Sequence, residues 1–378
     1  MNSKVTILQD RLLHYRVGLF EHLKRLADER DIALSLVHGQ ASPLAVMKKD
    51  EGYLDWTLQV KNRWWVINGH DLLWQPLPQQ LLDSDLVVML QHNRILSNYK
   101  ILFGGQRRRS KIAFWGHGKN FQSKKPRGMG ERFKQRLILS VDWWFTYTQT
   151  SVQVIEKAGF DPARITCLNN AIDTKTFQAD LASITPDEIR ALKEQYGIPE
   201  HSFIGLFCGS IYPDKKPEIM IEAGKIIKSK MPEFHFFVIG DGPSAGQIKE
   251  AAVNNEWLHY VGVKKGRDKA KFFRISHVAI NPGLVGLHVL DAFAAGLPMV
   301  TMAESKHSPE ICYLVDGHNG YLTGNSLDQY ADAILKLFND KAAYRAICRQ
   351  ALLDAQKYTV ERMAENFIDG IEKCLETA

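Results

Sequence analysis

Short apolar runs alternate along the chain with stretches whose apolar positions recur every three or four residues, the rhythm of strands and helices taken in turn. In the first half, the runs Val5–Gln9, Ile32–Val37, Leu86–Leu90, Ile112–Trp115 and Trp144–Tyr147 predict strands. Helices are predicted at Gly18–Ala27, Glu131–Leu139 and Ser151–Ala158. Trp56–Trp74 mixes apolar and polar residues around Lys61-Asn62 and Asn68-Gly69, and reads as hairpin-like strands. The second half is more regular. Strands Phe203–Cys208, Phe234–Ile239, Leu258–Val261, His277–Asn281 and Pro298–Met302 alternate with helices Pro217–Lys228, Ser244–Val253, Asp268–Ile275 and Leu287–Ala295. Helices at Leu327–Phe338, Ala342–Gln356 and Thr359–Leu375 close the chain. Apolar strands separated by helices specify parallel sheets covered on both faces.

A chain of 378 residues is too long for one ordinary core and suits two domains. A strand at Ile165–Leu168 ends the first half. Residues 175–200 are polar and carry Pro186 and Pro199, so they read as a linker between a domain at 1–174 and one at 201–357, with 358–378 as a final helix. Open α/β sheets bind ligands beyond the carboxyl ends of their strands, so the cleft between the domains is the expected active site.

Composition adds three constraints. The 45% hydrophobic and 24% charged content is that of a globular protein. Met1–Leu12 lacks a signal-peptide pattern, no apolar run is long enough to span a bilayer, and the five cysteines are scattered, which together lead us to expect a cytoplasmic protein without disulfides. The charge is uneven: residues 1–174 hold 25 basic and 16 acidic side chains, while the rest of the chain is slightly acidic. Residues 91–140 alone hold thirteen basic residues, including Arg107–Arg109, Lys124, Lys125, Arg127, Arg132, Lys134 and Arg136, against the single acid Glu131. Such a stretch attracts an anionic membrane surface, a nucleic acid or a phosphorylated substrate, or is a solvated face. No nucleic-acid reader module accompanies it.

Three strand-to-helix turns carry candidate chemistry. Gly209-Ser-Ile-Tyr-Pro-Asp-Lys-Lys-Pro217 presents backbone amides and a helix start, which suit a phosphate, and Lys215 adds a positive charge; an ordinary surface turn has the same composition. Val238-Ile-Gly-Asp-Gly-Pro243 places Gly240 and Gly242 at a second turn, where a tight bend or a close ligand approach needs them. In the segment Asn281–Pro298, Gly283 and Gly286 follow a strand, and Asp291 lies one turn into the next helix, where it can accept sugar hydroxyls or merely complement the helix dipole. The pair Asp83 and Asp85 precedes the apolar run Leu86–Leu90 and reads as a loop, so no metal is expected. No nucleophile elbow or Gly-Lys-Ser/Thr phosphate loop occurs.

In this order and spacing, the three turns resemble the C-terminal domain of the family-4 retaining glycosyltransferases. Leu168-Asn-Asn-Ala-Ile-Asp-Thr174 and Val315-Asp-Gly-His-Asn-Gly-Tyr-Leu322 resemble two further motifs of that family. The resemblance implies the GT-B fold: two Rossmann-like α/β domains facing across a cleft, a nucleotide-sugar-binding C-terminal domain, an acceptor-binding N-terminal domain, and a C-terminal helix crossing back to the latter. It further implies donor-phosphate binding by Lys215, with Ser210 where the family carries a second basic residue, and donor-ribose binding by Asp291. Gly283 stands where the family has the glutamate that grips the donor sugar, which implies a different sugar, a grip by the backbone amides of Leu284, Val285, Gly286 and Leu287 instead, or weakened catalysis. Gly18, Gly209, Gly242, Val263, Lys264 and Glu310 complete the implied donor set. His117, in Trp115-Gly-His-Gly118, resembles the family's histidine near the donor sugar, and Arg16, His92 and Arg94 are candidates for the acceptor.

The function so implied is retaining, metal-independent transfer of a hexose from a nucleoside-diphosphate sugar, UDP favoured over GDP, to a hydroxyl of a glycan or lipid-linked acceptor, with no cofactor beyond the donor. Peripheral association with an anionic inner membrane through residues 91–140 and a role in bacterial surface polysaccharide assembly, lipopolysaccharide or capsule, are the accompanying expectations. The departures at Ser210 and Gly283 keep a non-catalytic nucleotide- or glycan-binding relative open, as the shared fold does an epimerase or phosphorylase.

Overall fold

The computed structural model describes residues 2–44, 50–121 and 128–377. Lys124, Lys125 and Arg127 of the basic stretch lie outside the described residues. The chain divides into two compact units, residues 1–172 with 360–378, and residues 173–359.

The first unit is built on a parallel sheet of β1 (Ser3–Gln9), β2 (Ile32–His38), β3 (Leu58–Gln59), β6 (Leu86–Leu90), β7 (Lys111–Gly116), β8 (Trp143–Thr146) and β9 (Ile165–Cys167), in the order β3-β2-β1-β6-β7-β8-β9. The order reverses between β1 and β6, which makes a crevice at their carboxyl ends. β4 (Arg63–Ile67) and β5 (His70–Trp74) form a separate antiparallel hairpin. Its turn is Asn68-Gly69, both residues with positive φ, as a tight hairpin requires. Lys61-Asn62 makes no hairpin turn. Asn62 is buried and donates to the carbonyls of Asp10 and Gln40, while Leu58–Gln59 pairs parallel to β2.

The helices of this unit are α1 (Val17–Glu29), α2 (Ser97–Phe103), α3 (Met129–Arg136), α4 (Gln149–Lys157) and the last helix of the chain, Val360–Glu376. Buried residues Val360, Met363, Ala364, Phe367, Ile368, Ile371 and Cys374 recur every three or four positions on the last helix, giving it one continuous apolar face. At Gly370 a Cβ would meet Thr166 Oγ1 at 2.5 Å and Phe145 at 2.7 Å, so only glycine lets the helix lie this close to β8 and β9. Trp115, Trp143 and Trp144 are core residues here and offer no surface anchoring.

The second unit repeats the plan. β10 (Phe203–Cys208), β11 (Phe234–Ile239), β12 (Leu258–Gly262), β13 (Val278–Ile280), β14 (Met299–Met302) and β15 (Gly320–Thr323) run parallel in the order β12-β11-β10-β13-β14-β15, with the reversal between β10 and β13. The sixth strand, β15, lies in a segment whose glycines suggest only a turn. Gly320 is needed because a Cβ there would sit 2.2 Å from the Met299 carbonyl oxygen. Helices α5 (Thr174–Ala182) and α6 (Pro186–Gln195) occupy the stretch 175–200 and count with this unit. Thr185 and Glu188 cap α6 reciprocally, with Pro186 at its first position. The remaining helices are α7 (Pro217–Lys230), α8 (Ala245–Val253), α9 (Gly266–Ile275), α10 (His288–Ala294), α11 (Leu327–Asn339) and α12 (Lys341–Ala355), so that the last helix is α13.

Candidate functional site

In the second unit the switch point lies between the turns that follow β10 and β13. Lys215 sits on a short 3-10 turn, Pro213–Lys215, and is only 4% exposed. Its ammonium donates to the carbonyl of Leu284 and lies 5.8 Å from the Tyr212 ring. No carboxylate pairs with it among the described residues. Burial pushes its pKa down to about 7, opposed by interaction with the Cys208 thiol. A buried cation with only a carbonyl for company is an unfilled half of an ion pair.

Gly283 explains how that lysine is held. A Cβ at this position would lie 2.2 Å from the Asp214 carbonyl oxygen and 2.5 Å from Lys215 Cα. The glycine therefore lets the 281–287 loop rest directly on the lysine's turn, and the Leu284 amide donates to the Asp214 carbonyl at 2.7 Å. Two of the amides expected to meet a sugar are thus engaged within the protein: Leu284 as described, and Val285 with His307 Nδ1 at 3.1 Å. The Gly286 amide is 3.4 Å from His288 Nδ1, and the Leu287 amide at the start of α10 has no acceptor among the described residues. Gly286 donates to that histidine nitrogen, so the Leu287 amide is the one left for a ligand.

Asp291 lies in the first turn of α10 and is ion-paired with Lys269 of α9 at 2.8 Å, both side chains largely buried. Lys269 in turn lies 4.3 Å from the Phe177 ring. Glu310 is 4% exposed on the 3-10 turn Pro309–Tyr313. Gly209, exposed Ser210 and Gly242 lie on the two turns after β10 and β11, which are in mutual backbone contact: Ile211 donates to the Asp241 carbonyl, and a Cβ on Gly242 would lie 2.3 Å from the Ile211 carbonyl oxygen. Val263, 59% exposed, and Lys264 follow β12.

Three polar residues of this edge escaped the sequence reading. Asn281 is buried and donates to the Leu284 carbonyl at 3.1 Å and to His288 Nε2 at 2.9 Å. Burial holds the His288 pKa well below its ordinary value. His307 accepts from Val285 and donates from Nε2 to the Met302 carbonyl, which fixes its neutral tautomer. A polar residue at the end of an apolar strand, as Asn281 is, was the available signal.

In the first unit the switch point gathers Arg16 after β1, His92 and Arg94 after β6, and His117 after β7. Arg16 is 5% exposed; it donates to Asn170 Oδ1 at 2.6 Å and lies 5.0–5.5 Å from the rings of Tyr15, Trp115 and Tyr147. Arg94 is instead clamped by Asp10 at 2.5 Å and Asp71 at 2.8 Å, so its charge is consumed within the protein. His92 is exposed. His117 Nδ1 bonds Ser151 Oγ at 3.0 Å, and its ring lies against that of Tyr147, centroids 4.4 Å apart and planes tilted by 37°. Burial, with the positive charges of Lys134 and Arg16 nearby, pushes the His117 pKa down to about 3, so the ring is neutral at pH 7. Gly18, near the start of α1, has open space where a Cβ would stand.

Residues 202–340 match the family described as Glycosyl transferases group 1. The D-inositol 3-phosphate glycosyltransferase of Stackebrandtia nassauensis is 25% identical over 257 residues, 62% of this chain and 55% of the relative. The UDP-Gal:alpha-D-GlcNAc-diphosphoundecaprenol alpha-1,3-galactosyltransferase of Escherichia coli is 24% identical over 57% of each. The chain thus spans little more than half the length of these relatives. Among solved structures, Anabaena Alr3699/HepE in complex with UDP superposes with a TM-score of 0.68 at 14% identity, over 98% of this chain and 99% of that one. This likeness shows the fold, two Rossmann-like α/β domains of the GT-B type.

Proposed function

Residues 202–340 being a Glycosyl transferases group 1 domain, we propose that the chain transfers a hexose from a nucleoside-diphosphate sugar to a hydroxyl acceptor. The observation that carries the proposal is Lys215, a buried lysine with no acidic partner among the described residues, at the switch point of the second sheet. The leaving diphosphate supplies the missing negative charge. Charge grows on that diphosphate in the transition state, so a fixed cation there stabilises the transition state more than the ground state. The amide of Leu287 at the start of α10 adds to the same field. Asp291 faces the ribose hydroxyls, and its pairing with Lys269 sets its position.

The finer reading is retention of anomeric configuration without a metal. The departing phosphate takes the acceptor proton on the face from which it leaves, so no protein nucleophile is required, and Lys215 performs the charge neutralisation a metal would otherwise supply. Neutral His117 serves as a hydrogen-bonding partner to the transferred sugar and not as a general acid. With Gly283 in place of the family glutamate, backbone groups and Glu310 set sugar specificity. UDP is the favoured nucleotide: the name of the E. coli relative specifies UDP-Gal, and the Anabaena structure was solved with UDP. The acceptor is a glycan or lipid-linked saccharide of bacterial surface polysaccharide assembly, reached from an anionic membrane face. In support, α3 has no buried residue and carries exposed Met129 and Phe133 beside exposed Arg132 and Arg136. Each basic side chain at such a surface contributes about 1 kcal/mol. Among the described residues no helix is long and apolar enough to cross a membrane.

Thermal-shift titration with UDP, GDP and ADP, followed by turnover assays with the sugars of whichever nucleotide binds, tests the proposal. A nucleotide that binds without turnover in the presence of saccharide-lipid acceptors would favour a non-catalytic binding protein. Isomerisation of the donor, or phosphate-dependent cleavage without an acceptor, would favour an epimerase or phosphorylase. Flotation with anionic and neutral vesicles tests the membrane reading, which equal, salt-insensitive binding to both would overturn.

A further inference from the structure

Resting on the transfer reading above, we infer that Lys216 is a second cation of the donor site, sharing the donor's two phosphates with Lys215. Lys216 joins the 3-10 turn Pro213–Lys215 to α7, and its backbone is left-handed, with φ 53° and ψ 57°. Among the described residues three other non-glycine residues have positive φ: Asp31, Asn68 and Asn169. Short side chains of that kind bond locally and suit the conformation, whereas lysine has no such reason to adopt it. Glycine would enter α7 here without steric conflict. The lysine side chain is present despite the strain, and strained backbone of this kind gathers at functional sites.

That side chain brings an unmatched charge to the switch point. Its ammonium lies 3.9 Å from Met302 Sδ, a weak acceptor at the end of β14. No carboxylate pairs with it among the described residues, neither Asp214 nor Glu218 beside it in the chain included. Lys215 bonds the Leu284 carbonyl just beyond β13, the strand next to β14. Both charges reach one imidazole. Burial foremost, and then Lys216 and Lys215, lower the pKa of His307, which bonds the Met302 carbonyl. The backbone, meanwhile, has little left to give an anion. The amides of Gly209, Ile211, Lys215 and Lys216 donate to carbonyls of the protein, and those of Ile219 and Met220 to the carbonyl of Lys216. Pro217, the first residue of α7, has no N–H. A turn that reads in sequence as a cradle of amides is thus largely spent on the fold, and phosphates bound here must be held by side chains. A diphosphate carries more negative charge than one ammonium balances. Two ammonium groups at adjacent strand ends match it.

The test is calorimetric titration of the full-length chain with UDP, GDP and ADP at low and high salt, with a thermal melt of each variant. The variants are Lys216→Gly, Lys216→Arg and, as a charge control on the same helix, Lys225→Met at an exposed position. For whichever nucleotide binds, Lys216→Gly should weaken binding about tenfold at low salt, the scale of one charge-assisted hydrogen bond. The loss should shrink at high salt, because the lysine is half-buried and open to screening. The melting temperature of the same variant should hold or rise, since the strain is relieved. Lys216→Arg should recover most of the affinity, and Lys225→Met should change nothing. Should the glycine loosen the turn, Lys216→Met, which keeps the aliphatic stem, decides in its place. Unchanged nucleotide affinity in Lys216→Gly overturns the inference and leaves the transfer reading standing. So does a loss that salt does not touch, that arginine does not restore, or that Lys225→Met reproduces. Failure of all three nucleotides to bind the unmodified chain overturns the transfer reading, and the assignment of Lys216 with it.

Discussion

At the carboxyl ends of β10 and β13 one lysine is buried with a carbonyl as its partner, whereas at the carboxyl ends of β1 and β6 one arginine is clamped by two carboxylates and another is caged by three rings. Both edges belong to parallel sheets with the same kind of topological reversal, and both concentrate positive charge. The difference lies in what balances it. Arg94, matched twice, contributes to the fold. Lys215, matched by no carboxylate among the described residues, weakens the fold until an anion arrives, which is how a binding group is expected to behave.

Substitutions at the two edges should therefore separate cleanly. The largest effect is expected from Lys215→Ala, with turnover falling by about a hundredfold, near 3 kcal/mol of transition-state stabilisation, while the thermal midpoint of the unliganded protein holds or rises. Turnover within a fewfold of the original would remove Lys215 from the catalytic set. Arg94→Ala should act the other way. It leaves Asp10 and Asp71 uncompensated and should cost about 1–3 kcal/mol in denaturant unfolding, the arginine being a third exposed. Gly283→Ala should cost a similar amount, about 1–3 kcal/mol, because its Cβ must displace the turn that positions Lys215. A stable Gly283→Ala with normal nucleotide affinity would show that the loop contact has no part in holding the lysine.

Titration offers a subtler separation. Burial lowers the folded-state pKa of Lys215 to about 7, below its ordinary value of 10.5. Between those pH values the unfolded chain binds more protons than the folded one, so this lysine makes unliganded stability rise with pH from about 7 to 10.5. The slope is at most about 1.4 kcal/mol per pH unit. Lys215→Met should abolish that contribution, and nucleoside diphosphate should bind with proton uptake near pH 8, visible by calorimetry in buffers of different ionisation enthalpy. The smallest effect is expected from Asp291→Asn, about a tenfold loss of nucleotide affinity. Lys269→Met sharpens that result: if the ion pair and the ribose compete for Asp291, affinity should increase, and if the pair only orients the carboxylate, it should fall.

The sequence by itself determined the strand and helix order, because apolar periodicity follows directly from which faces are buried. The second half was legible almost residue by residue, down to Lys215, Gly283 and Asp291 as places of interest. β15 was hidden because a four-residue strand with a glycine looks like a turn, and Lys61-Asn62 misled because a buried asparagine and a turn asparagine are the same letter. Tertiary structure alone decided which charges are available. Arg16 and Arg94 are equivalent in sequence, yet Asp10 and Asp71, 61 residues apart in the chain, converge on the second and not the first. Gly283 likewise read as an opening for a ligand, and the fold fills that opening with the backbone of Asp214 and Lys215. Charge pairing and backbone proximity depend on distances between segments remote in sequence, and those distances are set only when the sheets assemble.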